Sequence, residues 1–449
     1  MIEKLRRTVV SEPLRLDGKI PDDLRGRLYR VGPGAIRRFG KAVHPFLADG
    51  AIHQVRFGER VFGSSRMIET AEYLREERAG KVFSGPNSAL WRRLHAGLMH
   101  HVKSTGNTSV LYWQERLYAL MEAGLPVEVD PETLLAHPSP TTLGFLTGGF
   151  SAHPHRVRTH RAQYNFTVDG KVVRVFCFPD EKPAQKVGEF ELPHLGLIHD
   201  FMVTETHAIF FVDPGRLRLW RAALQWGDFS DWFSWDPNGQ TEIVLVPLDS
   251  SGKIERFELG PLRVWHFVNA YNRGVEVVID VIRHADLGAL LAPTGDGSKV
   301  TDPRLTRFVV NRQTRGVREE ILWETVCEFP RVRPRDEGVE YGTAWVQTFD
   351  DDEGTTGFAR VELASGVSHR YCAPKGMVTS EPVVVEGTSN PWVLQLEGNE
   401  EACCVAIHDG RSAEGPVARA FLSEPIPPTF HGIFVPDGAL SDTPPLDEA

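Results

Sequence analysis

Short runs that alternate apolar and polar residues recur along the whole chain, roughly every ten to fifteen residues. Examples are "RLYALM", "KVVRVFCF", "VEVVIDVI" and "WVLQLE". Glycine, proline and pairs such as Asp169-Gly170 and Asn238-Gly239 separate the runs. This pattern predicts short β-strands joined by tight turns. No change of composition marks a linker, so we expect a single all-β domain over residues 1–449.

So many strands favour a β-propeller, which arranges small sheets by radial repetition, over a sandwich. The repeats are irregular in sequence, so periodicity does not fix the number of blades. Helical spacing is rare, and its best example is "SALWRRLHAGLMHH" at residues 88–101, with Leu90, Trp91, Leu94 and Leu98 on one stripe. The aromatic-rich residues 224–239 predict a long loop or a short helix.

Composition excludes several classes of protein. The formal net charge is −10 and no basic run occurs, which argues against a nucleic-acid partner. No segment approaches the ~18 consecutive apolar residues of a membrane-spanning helix, and the first residues lack a signal-peptide pattern. The five cysteines form no CxxC pair, as expected of reduced thiols. We therefore expect a cytoplasmic protein.

Four of the 17 histidines stand out by their context. His199 lies in "GLIHDFMVTETHAIFFVDP", which predicts a β-hairpin that turns at residues 204–206. His153, His266 and His431 also lie within or at the ends of apolar runs. Each of them alone could be a hydrogen-bonded core residue. A shared metal would require four separate strands to converge, as the inner strands of a propeller do.

Neutral imidazoles suit Zn, Cu, Fe or Ni. Histidine ligands usually donate their second ring N–H to a carboxylate or carbonyl, which fixes the tautomer. Glu122, Glu328 and Glu381 lie in or beside apolar runs and are candidates for that role. The alternative is a carboxylate on an exposed strand face, the commoner position for glutamate.

The chain resembles the carotenoid cleavage oxygenase family at these residues, and the resemblance covers nearly the whole chain in order. The matching motifs include "LRGRLYRVGPG", "FSAHPH", "LIHDFMVTE", "WHFVNAY", "EFPRV", "SEPVVV" and "FHGIFVP". One departure is Val31-Gly32-Pro33-Gly34, where the family usually has Asn-Gly-Pro-Asn. The family also places its ligand directly before the proline, which selects His153 over His155.

The resemblance implies a seven-bladed β-propeller with a helical and loop cap, here assigned to residues of about 84–105 and 220–240. It implies a non-haem Fe(II), with O2 as co-substrate, that cleaves an alkene into two carbonyl products. The implied ligands are His153, His199, His266 and His431, and the implied carboxylate partners are Glu122, Glu328 and Glu381. We expect an apolar substrate tunnel lined by Met121, Phe150, Trp265 and Phe430.

Substrate class and membrane contact stay open. Stilbene-cleaving relatives typically carry a lysine where this chain has Met121, which favours a carotenoid or apocarotenoid over a phenolic stilbene. A metal-free propeller that acts as a binding module is the alternative from another class. The stripe of Leu90, Trp91, Leu94 and Leu98 either contacts a membrane surface or packs inward beneath the cap. Alternation along the strand turns Asp200 away from His199, and His207 has a structural role.

Overall fold

The computed structural model describes residues 2–99, 102–249, 252–290, 302–350 and 355–439. Short strands make up most of it, as the alternating pattern predicts. In the first half of the chain they are β1 (Val9–Pro13), β2 (Arg15–Gly18), β3 (Gly26–Ala35), β4 (Arg37–Arg38), β5 (Lys41–Ala42), β6 (Asp49–Phe57), β7 (Phe62–Met67), β8 (Ser109–Trp113), β9 (Arg116–Leu120), β10 (Val127–Val129), β11 (Gly149–Phe150), β12 (His155–Val157), β13 (Ala162–Asp169), β14 (Val172–Pro179), β15 (Gln185–Glu191), β16 (Met202–Val203), β17 (His207–Val212) and β18 (Gly215–Leu217).

The second half continues in the same way. Its strands are β19 (Phe233–Trp235), β20 (Thr241–Pro247), β21 (Glu255–Leu259), β22 (Arg263–Arg273), β23 (Glu276–His284), β24 (Arg304–Asn311), β25 (Val317–Trp323), β26 (Cys327–Arg331), β27 (Thr343–Asp350), β28 (Thr355–Glu362), β29 (Ser368–Cys372), β30 (Val378–Thr379), β31 (Val383–Val385), β32 (Trp392–Gly398), β33 (Cys403–Asp409), β34 (Pro416–Phe421) and β35 (Gly432–Pro436).

The strands form the seven blades of a β-propeller, which confirms the predicted fold class. Their orders are β1-β7-β6-β3-β35, β10-β9-β8, β11-β13-β14-β15 with β12 also on β13, β16-β17-β20-β21, β22-β23-β24-β25, β26-β27-β28-β29, and β2-β34-β33-β32-β30 with β31 also on β32. Two small ribbons, β4-β5 and β18-β19, lie outside the blades. Contacts between β12 and β16, β16 and β22, β22 and β26, and β31 and β35 join neighbouring blades.

The two ends of the chain close the ring. The last strand, β35, pairs antiparallel with β3 in the first blade, and β2 pairs antiparallel with β34 in the last. Each of these two blades therefore contains strands from both halves of the sequence. A ring closed in this way leaves only short, protected sheet edges.

Tight turns set the register within a blade. Asp169 pairs with Val172 across the turn between β13 and β14, and Gly170 has a φ of 59°. Two-residue hairpin turns favour such left-handed backbone, which glycine adopts without steric cost. The predicted Asp169-Gly170 turn is thus confirmed, and it keeps the apolar faces of the two strands in phase.

Helices are few among the described residues: α1 (Ala71–Ala79), α2 (Leu90–Leu98) and α3 (Leu219–Ala223). Short 3-10 turns include Pro45–Leu47, Phe229–Trp232, Gly288–Leu290, Pro334–Asp336 and Asp437–Ala439. The Thr70 hydroxyl accepts from the Tyr73 backbone N–H at the start of α1, and Gly80 ends the helix at a φ of 60°. A side-chain cap and a C-terminal glycine are the expected helix boundary signals.

Helix α2 is the helix predicted within residues 88–101, of which residues 100 and 101 lie outside the described part. It contacts α3, and the backbones come so close that a Cβ on Gly97 would lie 2.5 Å from the carbonyl oxygen of Ala223. The predicted loop at 224–239 contains the Phe229–Trp232 turn and β19. No helix of the described residues is long and apolar enough to cross a membrane.

The core lies between the sheets, and Phe210 in β17 shows how it is packed. Its ring contacts those of Phe166, Phe190 and Phe201 at centroid distances of 5.3, 5.0 and 5.3 Å. Phe201 follows directly after His199-Asp200 in the chain. This aromatic cluster therefore supports the backbone segment that carries His199 and Asp200.

We predict that Phe210→Ala destabilises the protein by about 3–5 kcal/mol, since it removes a fully buried ring and leaves a cavity. Chemical denaturation followed by circular dichroism would show this as a lower midpoint. Phe39→Ala, at a ring that is 41% exposed, is the matched control and should shift the midpoint little. Equal shifts in the two variants would contradict the packing described.

Candidate metal centre

Each of the seven blades contributes one of the seven predicted residues to the region of the axis. His153 lies between β11 and β12, His199 before β16, His266 within β22 and His431 before β35. Glu122 follows β9, Glu328 lies in β26, and Glu381 lies between β30 and β31. One ring nitrogen from each of the four buried histidines lies within 4.8 Å of the other three. The structure thus brings together histidines that are up to 278 residues apart in sequence (431 − 153).

The predicted hairpin around His199 is only partly formed. Met202 pairs with Ile209 and Val203 with Ala208, and residues 204–206 form the turn, but His199 precedes the strand. The expectation that His199 lies inside a strand is therefore wrong. The reason is local: Asp200 accepts from the backbone N–H groups of Phe201 and Phe267, both at 2.8 Å. These bonds replace a strand ladder and leave the His199 ring free to point to the axis.

His266 lies in a strand, but the strand is irregular there. The pairing of β22 with β23 shifts register between Val264 and Phe267, and again between Phe267 and Asn269. Simple alternation, which would put Trp265 and His266 on opposite faces, therefore fails. The Trp265 ring contacts the His199 ring at 4.9 Å, close to the site that His266 also reaches. Such a bulge re-aims side chains at a strand edge.

The three glutamates lie behind three of the rings. His266 Nδ1 donates to Glu328 at 2.5 Å, and His431 Nδ1 donates to Glu381 at 2.9 Å. Glu122 Oε1 lies 2.9 Å from His199 Nδ1 but away from the direction of the N–H, so this is a polar contact rather than an aligned hydrogen bond. All three contacts engage Nδ1, which leaves Nε2 of each ring to face the centre.

His153 differs because no glutamate lies within hydrogen-bonding distance of it. Its Nε2 is 3.9 Å from Glu122 Oε1, and its Nδ1 is 3.8 Å from Asp200 Oδ1. Among the described residues, Nε2 is buried without a hydrogen-bond partner. A buried ring nitrogen without a partner is costly in a structure that lacks a ligand for it.

Burial sets the protonation of the rings. It lowers the pKa of His153 and of His199 well below the usual range, and it also lowers the pKa of His431. The pKa of His266 is raised, because the Glu328 carboxylate outweighs the burial that opposes it. Rings with a lowered pKa are neutral at pH 7, the form that binds a metal.

The carboxylates divide into two kinds. Burial raises the pKa of Glu122 well above its ordinary value. Burial acts in the same direction on Glu328 and Glu381, but neighbouring cationic groups outweigh it and lower their pKa values. For Glu328 the main group is His266, and His284 Nε2 also lies 2.8 Å from the Glu328 carboxylate. Two anionic carboxylates beside the cluster would offset the charge of a bound dication.

Sequence reasoning missed the cations that hold Glu381. Arg331 Nε donates to Glu381 Oε1 at 2.9 Å, and Arg30 Nη1 donates to its backbone carbonyl at 3.0 Å. Arg30 also bonds the Phe430 carbonyl, next to His431, at 2.8 Å. A signal was present, since Arg30 interrupts an apolar run in "RLYRVG". A buried arginine in a strand needs a carboxylate or several carbonyls as partners.

His155, Asp200 and His207 do not belong to the four-histidine cluster, although Asp200 lies before strand β16 and strand alternation therefore does not set its direction. Both ring nitrogens of His155 are engaged, Nδ1 by Glu337 at 2.8 Å and Nε2 by Asp200 at 3.0 Å. Asp200 outweighs burial and raises the pKa of His155 to about 9, and the nearby histidines lower the pKa of Asp200 to about 2. His207 Nδ1 contacts the Thr206 hydroxyl at 2.6 Å.

A cavity of about 480 Å³ reaches this region from the cap. Met121, Glu122, Leu197, Phe229, Trp232 and Phe233 are among its lining residues. Two further residues predicted for the tunnel lie near the site: Trp265 packs on His199, and the Phe430 ring contacts Phe46 at 5.3 Å. Phe150 does not line this cavity; it packs between β-sheets with Phe178 at 5.8 Å, because strand β11 turns it into the core.

The donor set fits a divalent transition metal. His199 Nε2 and His266 Nε2 are 3.2 Å apart. At this distance two lone pairs would repel each other, so a proton or a cation must lie between the two nitrogens. His153 belongs to the same cluster, and its buried Nε2 has no hydrogen-bond partner among the described residues. Four imidazole nitrogens are a ligand set for Fe, Zn, Cu or Ni, rather than for Mg or Ca.

Two positions beside the glutamates adopt a conformation that L-residues rarely take. Ala123, after Glu122, has a φ of 60°, and Phe329, after Glu328, has a φ of 48°. The Phe329 N–H donates to Glu328 Oε2 at 2.5 Å, and its ring lies 4.9 Å from that of His266. Left-handed backbone in non-glycine residues concentrates at functional sites.

Comparison with known proteins agrees with this site. The family model described as retinal pigment epithelial membrane protein matches residues 3–436. The chain therefore belongs to the carotenoid cleavage oxygenase family. It is 27% identical to the apocarotenoid-15,15'-oxygenase of Synechocystis sp., over 93% of this chain and 91% of that one. It is 24% identical to the resveratrol cleavage oxygenase 1 of Botryotinia fuckeliana, over 95% and 84% respectively.

Solved structures show the same fold. A point variant of the Synechocystis apocarotenoid oxygenase superposes with a TM-score of 0.88, at 23% identity and 97% coverage of both chains. A second variant of that protein gives a TM-score of 0.87 at the same identity and coverage. The coverage includes nearly all of the seven blades.

We predict that Glu328→Gln weakens metal binding about 10- to 100-fold, because an amide cannot hold the Nδ1–H of His266 as a carboxylate does. Competition against a chelator of known affinity would measure the change. The matched control is Glu337→Gln, which alters a carboxylate bonded to His155, outside the cluster. Metal affinity reduced equally in both variants would contradict the assigned roles.

Proposed function

We propose that this chain is an Fe(II)-dependent dioxygenase that cleaves a carbon–carbon double bond of a carotenoid or apocarotenoid with O2. Both oxygen atoms end in the products, as two carbonyl groups. One observation carries the proposal: four buried imidazoles, backed by buried carboxylates, lie next to a largely apolar cavity that reaches the site at Glu122. Membership of the carotenoid cleavage oxygenase family supports the reaction class.

The proposed ligands are Nε2 of His153, His199, His266 and His431. When bound, Fe(II) supplies the redox chemistry for the reaction with O2. Glu328 and Glu381 orient two of the rings and keep their Nδ1 atoms protonated.

The cavity would position the alkene and exclude water. Phe229, Trp232 and Phe233 form an aromatic cluster with Trp265, and Trp265 in turn contacts the His199 ring. A rigid aromatic wall holds an extended apolar molecule in one orientation, which lowers the entropic part of the barrier. No acid–base pair is needed to cleave an alkene with O2, so positioning the alkene is the main task of this aromatic wall.

The names of relatives support two substrate classes. The Synechocystis relative is an apocarotenoid oxygenase, whereas the Botryotinia relative is a resveratrol cleavage oxygenase. Met121 lines the cavity directly before Glu122, and its thioether accepts from the Thr105 backbone N–H at 3.2 Å. An apolar residue here favours the polyene class. A phenolic stilbene is the second candidate.

Helices α2 and α3 provide a surface for membrane contact. Leu90, Trp91, Leu94 and Leu98 are 49, 63, 50 and 78% exposed, so the stripe does not pack inward. On α3, Trp220 is 56% exposed. Exposed apolar residues with neighbouring arginines are typical of helices that lie in a membrane interface. Since Ala96, Gly97, Ala222 and Ala223 line the cavity, we propose that apolar substrate enters from the membrane at these helices.

The reaction is tested by incubating the iron-loaded protein with a polyene panel and resveratrol under 18O2. We predict cleavage of an apocarotenoid into two carbonyl products, each with one 18O when exchange with water is controlled. Mass spectrometry gives the products and the bond cleaved. Cleavage of resveratrol alone would favour the stilbene class, and failure to cleave any alkene would contradict the oxygenase proposal.

We predict that the double variant Leu94→Ser/Leu98→Ser binds anionic vesicles at least tenfold more weakly than the unaltered protein. Two large side chains would no longer bury apolar area in the interface. Co-sedimentation with vesicles measures the affinity. Val367→Ser, at a residue 52% exposed outside both helices, is the control and should bind normally. Unchanged binding of the double variant would place the contact elsewhere.

A further inference from the structure

The wall of the 480 Å³ cavity has two chemically different parts. One is the aromatic and aliphatic cluster that includes Phe229, Trp232 and Phe233. The other is a group of charged side chains, Arg38, Asp49, Glu76 and Lys103. A purely hydrocarbon polyene cannot form hydrogen bonds with these charged side chains. Their position in the cavity wall therefore indicates a substrate with a polar group.

The charged residues form a tightly bonded network. Lys103 Nζ lies 2.6 Å from Asp49 Oδ1 and 2.7 Å from Glu76 Oε2. Arg38 Nη1 donates to both of the same carboxylates, and Arg38 Nη2 donates to Glu77 at 2.9 Å. Glu76 Oε1 accepts from the backbone N–H of Phe83 at 2.6 Å. The positions of these groups are therefore fixed before any substrate binds.

One N–H of the Lys103 ammonium group has no acceptor among the residues that the structure describes. An ammonium group carries three N–H bonds. Asp49 and Glu76 take two of them, and no third acceptor for Lys103 occurs among the residues that the structure describes. The side chain is 13% exposed and lines the cavity, so the remaining donor is available to a molecule there. A ligand oxygen in the cavity could accept this third N–H, and a hydrogen bond from a charged donor is stronger than one between neutral groups.

The same cavity reaches the metal centre at Glu122. Glu122, which contacts His199, lines it together with Met121 and Lys103. Position 121 carries no cation, and its sulfur is turned to Thr105. A cation in the cavity wall comes instead from Lys103, which lies 18 residues before position 121 in the sequence (121 − 103).

We propose that Lys103 binds a neutral oxygen at the end of the alkene substrate, as a hydroxyl or a carbonyl group. This inference rests on the proposed function and narrows its substrate class to oxygenated polyenes or phenols. The oxygen is neutral rather than a carboxylate because the network contains two cations, Arg38 and Lys103, against three carboxylates, Asp49, Glu76 and Glu77. A substrate carboxylate would be a fourth anion at a site whose two positive charges are already compensated.

The test compares how tightly matched molecules bind to the iron-loaded protein in the absence of O2. Quenching of tryptophan fluorescence measures the binding. The pairs are a hydroxylated apocarotenoid with its deoxy form, and a phenolic stilbene with unsubstituted stilbene. We expect the oxygenated member of at least one pair to bind about tenfold or more tightly, since hydrogen bonds to charged groups are the stronger kind. The corresponding carboxylic acid should bind more weakly than the alcohol.

Variants assign the preference to Lys103. Lys103→Met should abolish the preference, and Lys103→Arg should keep part of it. Lys103→Met/Asp49→Asn also removes a carboxylate, so it preserves the charge balance if the single variant does not fold. Lys41→Met is the matched control, because Lys41 lines the same cavity but is exposed and donates to the Asn87 carbonyl at 3.2 Å. It should retain the preference.

Two outcomes would overturn the inference: equal binding of both members of each pair by the unaltered protein, or an unchanged preference in the folded Lys103 variants. Tightest binding of the acid would overturn the neutral-oxygen assignment. These results are distinct from a failure of the proposed function. Cleavage without any preference contradicts only the role of Lys103, whereas tight, selective binding with no cleavage under O2 contradicts only the oxygenase.

Discussion

The contact between histidine Nδ1 and a buried carboxylate determines what the axis of this propeller can hold. It fixes the tautomer of the ring and turns Nε2, with its lone pair, to the centre. His266 and His431 make this bond at 2.5 and 2.9 Å, and Glu122 lies 2.9 Å from His199 Nδ1. Without such contacts, four rings packed at centroid distances of 4.4 to 5.5 Å could take several arrangements of protons, few of which bind a metal.

Buried carboxylates need partners of their own, and the propeller supplies them from distant parts of the chain. Glu381 is held by Arg331 from a neighbouring blade and by Arg30 from the first blade. Because Arg30 also bonds the backbone at Phe430, the same guanidinium joins the closing segment of the chain to the glutamate behind His431. Ring closure and the metal centre are therefore parts of one hydrogen-bonded structure. Loss of one partner would leave a buried charge uncompensated.

Much of this arrangement could be predicted from sequence, and the reasons differ between residues. Alternation and turn pairs indicated the strands, because each strand buries one face. Local context singled out the four histidines and three glutamates as candidates, but a purely structural position stayed open for each, and their roles as ligands and carboxylate partners came from the family resemblance. The backbone at His199 and the bulge at His266 could not be predicted, because hydrogen bonds from Asp200 and an irregular register determine them.

Tunnel residues were the least predictable part. Phe150 lies three residues before His153, yet its strand turns it into the core between sheets. Lys103 has no motif of its own, and its importance arises only when Asp49 and Glu76 meet it in the folded chain. Proximity in sequence to a ligand is a poor guide to proximity to the substrate. What lines a cavity depends on how blades and cap pack together, which is a tertiary property.

The central claim is that the four Nε2 atoms hold one iron ion. Anomalous diffraction from crystals of the iron-loaded protein, measured on both sides of the iron absorption edge, tests it most directly. We predict one strong difference peak per chain, bounded by His153, His199, His266 and His431. A peak at another position, or none at the axis in crystals whose protein carries stoichiometric iron, would contradict it.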